Sequence, residues 1–163
     1  MKKIDQAGLL MCDLQAEAFE LSLTEISCST EIFIRRFMHS ETAKRADSGY
    51  YLNFATTPRD IVEEVVAEYG ESAYGKVKYT ANELYWIGFI YRYFAYTYEI
   101  SSLRAYKLVK PKELRTFYPA CHTMDGAQAI ERILEIKKIN LDMSIERQYE
   151  VFKRMRKAAE QYE

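Results

Sequence analysis

Along most of this chain apolar positions recur every three or four residues, as on amphipathic helices, but between Thr80 and Glu99 the pattern changes. The stretch TANELYWIGFIYRYFAYTYE carries three stripes at helical spacing: Leu84, Ile87, Tyr91, Phe94 and Tyr98; Trp86, Ile90, Tyr93 and Thr97; and Tyr85, Phe89, Arg92 and Tyr96. No polar face is left, so the expected element is a helix buried on all sides, with other helices covering each stripe. Thr80 and Glu83 have capping-box spacing, the hydroxyl accepting from the Glu83 N–H and the carboxylate from the Thr80 N–H. Gly88 costs about 1 kcal/mol against alanine inside a helix, which points to a close crossing there. Arg92 is the one cation among the aromatics and requires a tyrosine face or a carboxylate. With Tyr91 and Tyr93 it forms a candidate polar cluster, either the anchor of the core or part of a site. The apolar run approaches the roughly 20 residues of a membrane span, but Glu83, Arg92, Glu99 and the tyrosine hydroxyls oppose that reading.

The same periodicity sets out the other elements. A first helix runs from about Ile4 to Leu23, with Leu10, Leu14, Ala18 and Leu21 inward and Phe19 beside them. Ser27, Ser29 or Thr30 caps a second, which turns Ile32, Phe33, Phe37 and Met38 inward, and Arg35 and Arg36 outward. His39, at its end, suits the negative pole of the helix dipole. AKRADSGYYLNF reads as irregular, broken at Ser48 and Gly49, with Tyr50, Tyr51 and Phe54 tucking a loop against the core. Thr57, Pro58 and Asp60 open a helix with a hydroxyl cap, a proline in the first turn and an acid at the positive pole, and Gly70 stops it. Its inner residues are Ile61, Val62, Val65 and Val66. Beyond the aromatic stretch, Ser101 or Ser102 caps a helix to about Val109. Pro111 starts a helix of one or two turns that Pro119 ends. Thr123 or Asp125 caps another to about Lys138, with Ala127, Ile130, Ile133 and Leu134 inward and Glu131 and Glu135 set against Lys138. Ser144 begins a last helix with Ile145, Tyr149, Phe152 and Met155 in its buried stripe. The expectation is one all-α domain over residues 1–163, an orthogonal bundle of seven or eight helices around the aromatic one.

Composition acts mainly by exclusion. With 163 residues, 48% of them hydrophobic, the chain can bury a core without staples. A formal net charge of -1 gives no broad electrostatic case for nucleic acid or for an anionic membrane. Cys12, Cys28 and Cys121 are odd in number and lack CxxC spacing, so no disulfide framework, metal site or cofactor is implied and a reducing cytoplasm fits. Asp5, Gln6 and Asp13 interrupt any apolar core of a signal peptide at the N-terminus.

Two groups of residues carry candidate chemistry. Asp60, Glu63, Glu64, Glu68 and Glu71 make one side of the third predicted helix acidic, a solvated face or a docking surface for a basic protein partner. A second surface would arise if Tyr50, Tyr74 and Tyr79 lay uncovered together. No Walker loop, GxGxxG, HExxH or GxSxG occurs. Arg115 and His122, in RTFYPACH, have a spacing that resembles the Arg-x4-6-His motif of HEPN-type ribonucleases, all-α proteins that pair two such motifs across a dimer. There the histidine would help activate the ribose hydroxyl and the arginine would hold the phosphate; Pro119 between them breaks the expected helix. Cys121 beside His122 suggests a thiol–imidazole pair, but sequence neighbours point apart.

Three segments, STEIFIRRFMHS with the following AKRAD, KYTANELYWIGFIYRYFAYTYEISS and KPKELRTFYPACHTMDGAQAIERIL, together resemble a group of small bacterial cytoplasmic proteins of toxin–antitoxin type operons, often beside ADP-ribosyltransferase-like toxins. The likeness covers about residues 29–134. It implies an antitoxin or immunity role: binding a toxin from the same operon and blocking its active site or its folding. A homodimer is compatible with this reading, and no membrane or nucleic-acid partner is implied.

Overall fold

A computed structural model describes residues 1–52, 55–141, 149, 153, 156 and 157. Its centre is a helix spanning Ala81–Tyr98 whose ends form as the sequence dictates. Thr80 Oγ1 accepts from the Glu83 N–H at 3.2 Å, and Glu83 Oε1 accepts from the Thr80 N–H at 3.1 Å. At the other end Glu99 turns left-handed, with φ 53°, and its N–H returns to the Ala95 carbonyl. In chain order the described helices are α1 (Gln6–Glu25), α2 (Thr30–His39), α3 (Glu41–Asp47), α4 (Pro58–Tyr69), α5 (Ala81–Tyr98), α6 (Ser102–Leu108), α7 (Pro111–Cys121) and α8 (Gly126–Lys137), with one 3-10 turn at Tyr50–Leu52. There is no strand among the described residues, so the all-α expectation holds. No described helix is long and apolar enough to cross a membrane.

The most extensive packing is between α1 and α5. A Cβ on Gly88 would lie 2.9 Å from both the Ala16 Cα and the Gln15 carbonyl oxygen, so the two backbones cross where the glycine predicted it. This crossing turns α1 away from its expected register. The side facing inward is Gly8, Met11, Cys12, Gln15, Ala16, Ala18, Phe19 and Ser22, while Leu10 is 56% exposed and Leu14 and Leu21 are half-buried. Ala18 and Phe19 are buried as expected and Leu14 and Leu21 still pack against the core, so the correction falls on Leu10 and on the small residues Gly8, Cys12 and Ala16, which close approach selects. Phe19 then meets Phe33 and Phe37 of α2 edge-on, with centroids at 5.7 and 5.1 Å; each buried phenylalanine contributes about 2–3 kcal/mol.

Two further expectations need correction. AKRAD is helical, since Ser40 both terminates α2 and caps α3, its hydroxyl accepting from the Ala43 N–H at 3.0 Å. The break comes after it, at Gly49, where φ is 75°. Pro119 does not end α7, which runs on to Cys121. The proline lacks an N–H and crowds the Arg115 carbonyl, but the turn beyond it holds: the His122 N–H reaches the Tyr118 carbonyl at 3.0 Å, and Leu114 and Cys121 are buried.

Elsewhere local signals suffice. Thr57 and Asp60 form a capping box, Gly70 stops α4 at φ 79°, and Asp125 caps α8 by accepting from the Gln128 N–H at 3.0 Å. In α8 Ala129, Ile130, Ile133 and Leu134 are buried, Ala127 only partly. Lys138 is the left-handed C-cap, and the pairs that form are Arg132 with Glu135 and Lys137 with Glu113, at 3.2 and 2.6 Å. Of the last predicted stripe, Ile145, Phe152 and Met155 lie outside the described residues, as do Ser144 and Phe54; Tyr149 is 68% exposed, against the burial expected of it.

Candidate binding groove and acidic faces

The third stripe of α5 is not fully covered, contrary to expectation. Tyr85, Phe89 and Tyr96 remain half-exposed, which their polar rims permit: the Tyr85 hydroxyl donates to Asp13 at 3.3 Å and that of Tyr96 to Asp5 at 2.7 Å. Beside Tyr85 and Phe89 an open groove of about 420 Å³ runs between α5, α1 and the α7–α8 turn. Its apolar lining comes from Trp86, Phe89, Ile90, Tyr118 and Met124, and its polar edge from Glu20, Asn82, Tyr85 and His122. Trp86 meets Tyr118 near-perpendicularly at 5.7 Å. Tyr118 is stacked on His122, one turn on, at 4.5 Å and 20°. The His122 Nδ1–H donates to the Tyr118 carbonyl at 2.8 Å, because a carbonyl only accepts. At Gly126 a Cβ would lie 2.6 Å from the Tyr93 ring, so glycine lets α8 begin close against α5.

The acidic side of α4 is largely spoken for within the chain. Glu64 Oε2 accepts from Arg45 at 2.8 Å, from the Tyr51 hydroxyl at 3.1 Å and from Thr42 Oγ1 at 3.2 Å. Burial, together with the Glu64 charge, pushes the Tyr51 phenol up to about 12. Glu68 accepts from the Glu41 N–H at the start of α3, 3.1 Å away. Asp60 closes its capping box, and the Thr57 N–H holds its carboxyl below the usual range. Glu63 and Glu71 are exposed. The tyrosine surface does not form either, since Tyr79 is buried while Tyr50 and Tyr74 are exposed.

Arg92, 2% exposed, belongs to a closed network and finds a carboxylate, as expected. Its Nε donates to Gln15 Oε1 at 2.9 Å and its two terminal nitrogens to Asp47 Oδ1 at 2.8 Å and Ser102 Oγ at 2.7 Å. Ser102 also donates to Asp47 through its N–H, at 3.0 Å, and its hydroxyl, at 2.6 Å. The guanidinium therefore ties α1, α3, α5 and α6 together. Tyr91 and Tyr93 are not part of it: the Tyr91 hydroxyl donates to the Val109 carbonyl at 2.6 Å, and the Tyr93 ring packs on Gly126. Successive helical residues point about 100° apart, and that separates the three.

Arg115 lies on α7 and His122 is its C-cap, still in helical backbone conformation, seven positions and hence almost two full turns on, about 10 Å along the axis. They share a face but are not in contact. Arg115 Nε donates to Glu83 Oε2 at 2.9 Å, and its guanidinium sits 4.3 Å from the centroid of the Tyr79 ring. His39 donates from Nδ1 to the Arg35 carbonyl at 2.7 Å, in the last turn of α2, consistent with the dipole role read from its position. The three cysteines are buried, and burial pushes the Cys12 thiol up to about 12 and raises that of Cys121, so neither is a thiolate at neutral pH.

Comparison of the chain with known protein families, with characterised proteins and with solved structures found no match. What the coordinates define is a class: an all-α bundle with a buried polar latch and an open aromatic groove. Sequence reasoning missed the groove. Its one local trace was the i, i+4 spacing of Tyr118 and His122 on α7.

Proposed function

We propose that this chain is a non-enzymatic binding protein of antitoxin or immunity type, which acts in the cytoplasm by holding a toxin from its own operon. The observation that carries this reading is the groove lined by Trp86, Phe89, Tyr118 and Met124. Aromatic residues and methionine are enriched where proteins bind each other, and a concave site of about 400 Å³ suits an anchoring side chain. The contact surface thereby moves from the acidic side of α4, where three of the five carboxylates are engaged within the chain, to α5 and α7. Co-expression with each adjacent operon product is expected to give one stable complex and to relieve that product's toxicity. Tyr118→Ala is expected to weaken the complex by about 2 kcal/mol, roughly thirtyfold, with the helical circular-dichroism signal unchanged. Failure of every neighbouring product to bind removes the reading.

A ribonuclease of HEPN type is the second reading, favoured by the unbroken course of α7 through Pro119, which sets Arg115 and His122 on one face. It requires RNA cleavage in metal-free buffer that is lost in His122→Ala and in Arg115→Lys while thermal stability is kept. Intact RNA after incubation with the wild-type protein eliminates it.

A further inference from the structure

The α1 helix carries four carboxylates, Asp13, Glu17, Glu20 and Glu25, and no lysine or arginine. Glu25 has Arg59 at 3.2 Å. Asp13, Glu17 and Glu20, spaced i, i+4 and i+7, share one exposed face, and none has an ion-pair partner among the described residues. Like charges four apart oppose helix formation, and among the described residues only the Tyr85 hydroxyl, on Asp13, meets any of the three. On α4, by contrast, Arg45 and backbone N–H groups answer Glu64, Glu68 and Asp60. Of the three on α1, only Glu20 lines the groove itself. Asp13 accepts from the Tyr85 hydroxyl, Glu20 is part of the lining, and the fields of all three, after burial, hold the Tyr85 phenol above its ordinary value.

The α1 edge of the groove is thus anionic, through Glu20 in its lining and the Asp13 and Glu17 charges that act on Tyr85, and its floor is aromatic. Such a surface repels phosphate, which argues against nucleic acid. Asp13 and Glu20 stand about 10 Å apart along the helix, too far to share a metal ion. Organic cations fit: a guanidinium or ammonium can lie against the Tyr85 ring and meet a carboxylate at once. Lys2 and Lys3 do not neutralise the wall, because they line a neighbouring cavity and Lys2 is held over the Tyr96 ring and 3.6 Å from Glu99.

We infer that the element filling this groove is a basic amphipathic segment of the partner protein, which seats an apolar side chain against Trp86, Phe89 and Met124 and sets lysines or arginines on Glu17 and Glu20. The inference rests on the binding reading above and gives that partner its chemistry. It has a built-in reporter, since Trp86 is the only tryptophan in the chain and lines the groove. The probe is a synthetic helical peptide of about 14 residues, or four turns, with leucines at i, i+3, i+4 spacing and lysines beside them, together with a counterpart carrying glutamate for every lysine. The lysine peptide is expected to shift Trp86 emission saturably. Its affinity should fall about tenfold or more in Glu17→Lys/Glu20→Lys, whose two positions are exposed and whose melting curve should match the wild type, and by a similar factor at about 0.5 M salt. Absence of a saturable shift, equal binding to the charge-reversed protein, or equal binding of the glutamate peptide overturns the inference. So does an emission spectrum that changes with protein concentration alone, which would put a second copy in the groove. The probe is independent of the operon product: loss of peptide binding leaves a toxin complex standing, and loss of the complex leaves the peptide result standing.

Discussion

Arg92→Ala should lower the unfolding free energy by about 3–5 kcal/mol, read as a fall in denaturant midpoint at an unchanged slope. The size follows from what the truncation abandons. Asp47 Oδ1, Gln15 Oε1 and Ser102 Oγ each face a guanidinium nitrogen at 2.7–2.9 Å. Asp47 is one-fifth exposed and keeps the Ser102 N–H, so water and that donor serve part of its need and place the cost toward the lower bound. Gln15 has no such relief, being 3% exposed. Arg92→Lys should recover little, because one ammonium cannot present three donors in the planar fork that these acceptors require. Arg92→Met with Asp47→Asn should recover more, since it removes the charge from both sides and fills the space. A loss below about 1 kcal/mol in Arg92→Ala would mean that the network is hydrated and contributes specificity alone.

Gly88→Ala is expected to destabilise by about 2 kcal/mol, and Gly88→Val by more, although alanine is the better helix former by about 1 kcal/mol. The two effects oppose each other, and the geometry decides between them. The added carbon would sit 2.9 Å from Ala16 Cα and from the Gln15 carbonyl oxygen. Both are backbone atoms of α1, so relief requires the whole helix to move and not a side chain to rotate. Movement of α1 would also lengthen the bond from Gln15 Nε2 to the Gly88 carbonyl, now 3.1 Å, and loosen the Phe19 cluster behind it. Thermal melting distinguishes the outcomes: a Gly88→Ala protein as stable as the wild type would show that α1 shifts at no cost.

Where a structural feature depends on a few adjacent residues, the sequence carried it. The capping box at Thr80, the hydroxyl cap at Thr57, the stop at Gly70 and the requirement for a small residue at Gly88 were all legible because each concerns one turn of backbone. The register of α1 was legible only in part, with Ala18 and Phe19 placed and Leu10 misplaced, because large apolar residues mark a buried face only when the neighbouring helix stays at ordinary distance, and Gly88 draws it closer. Helix α3 was missed because Ser40 serves two helices at once, so the boundary left no polar stretch behind it. The acidic side of α4 was correctly seen as one side. That Arg45 and Tyr51 would come to Glu64 from another part of the chain is a tertiary fact with no local signature. The groove has the same character: Glu20, Trp86, Tyr118 and Met124 become neighbours only after α1, α5 and α7 have assembled.

The single guanidinium at Arg92 also sets how the molecule can come apart. Its partners sit at positions 15, 47 and 102, so loosening any one of the helices that bear them exposes the same charge to the same deficit. The first helix cannot peel away on its own without leaving Arg92 short of a partner and Gly88 facing a void. Helices α1, α3, α5 and α6 are latched at one point, and they are expected to let go together.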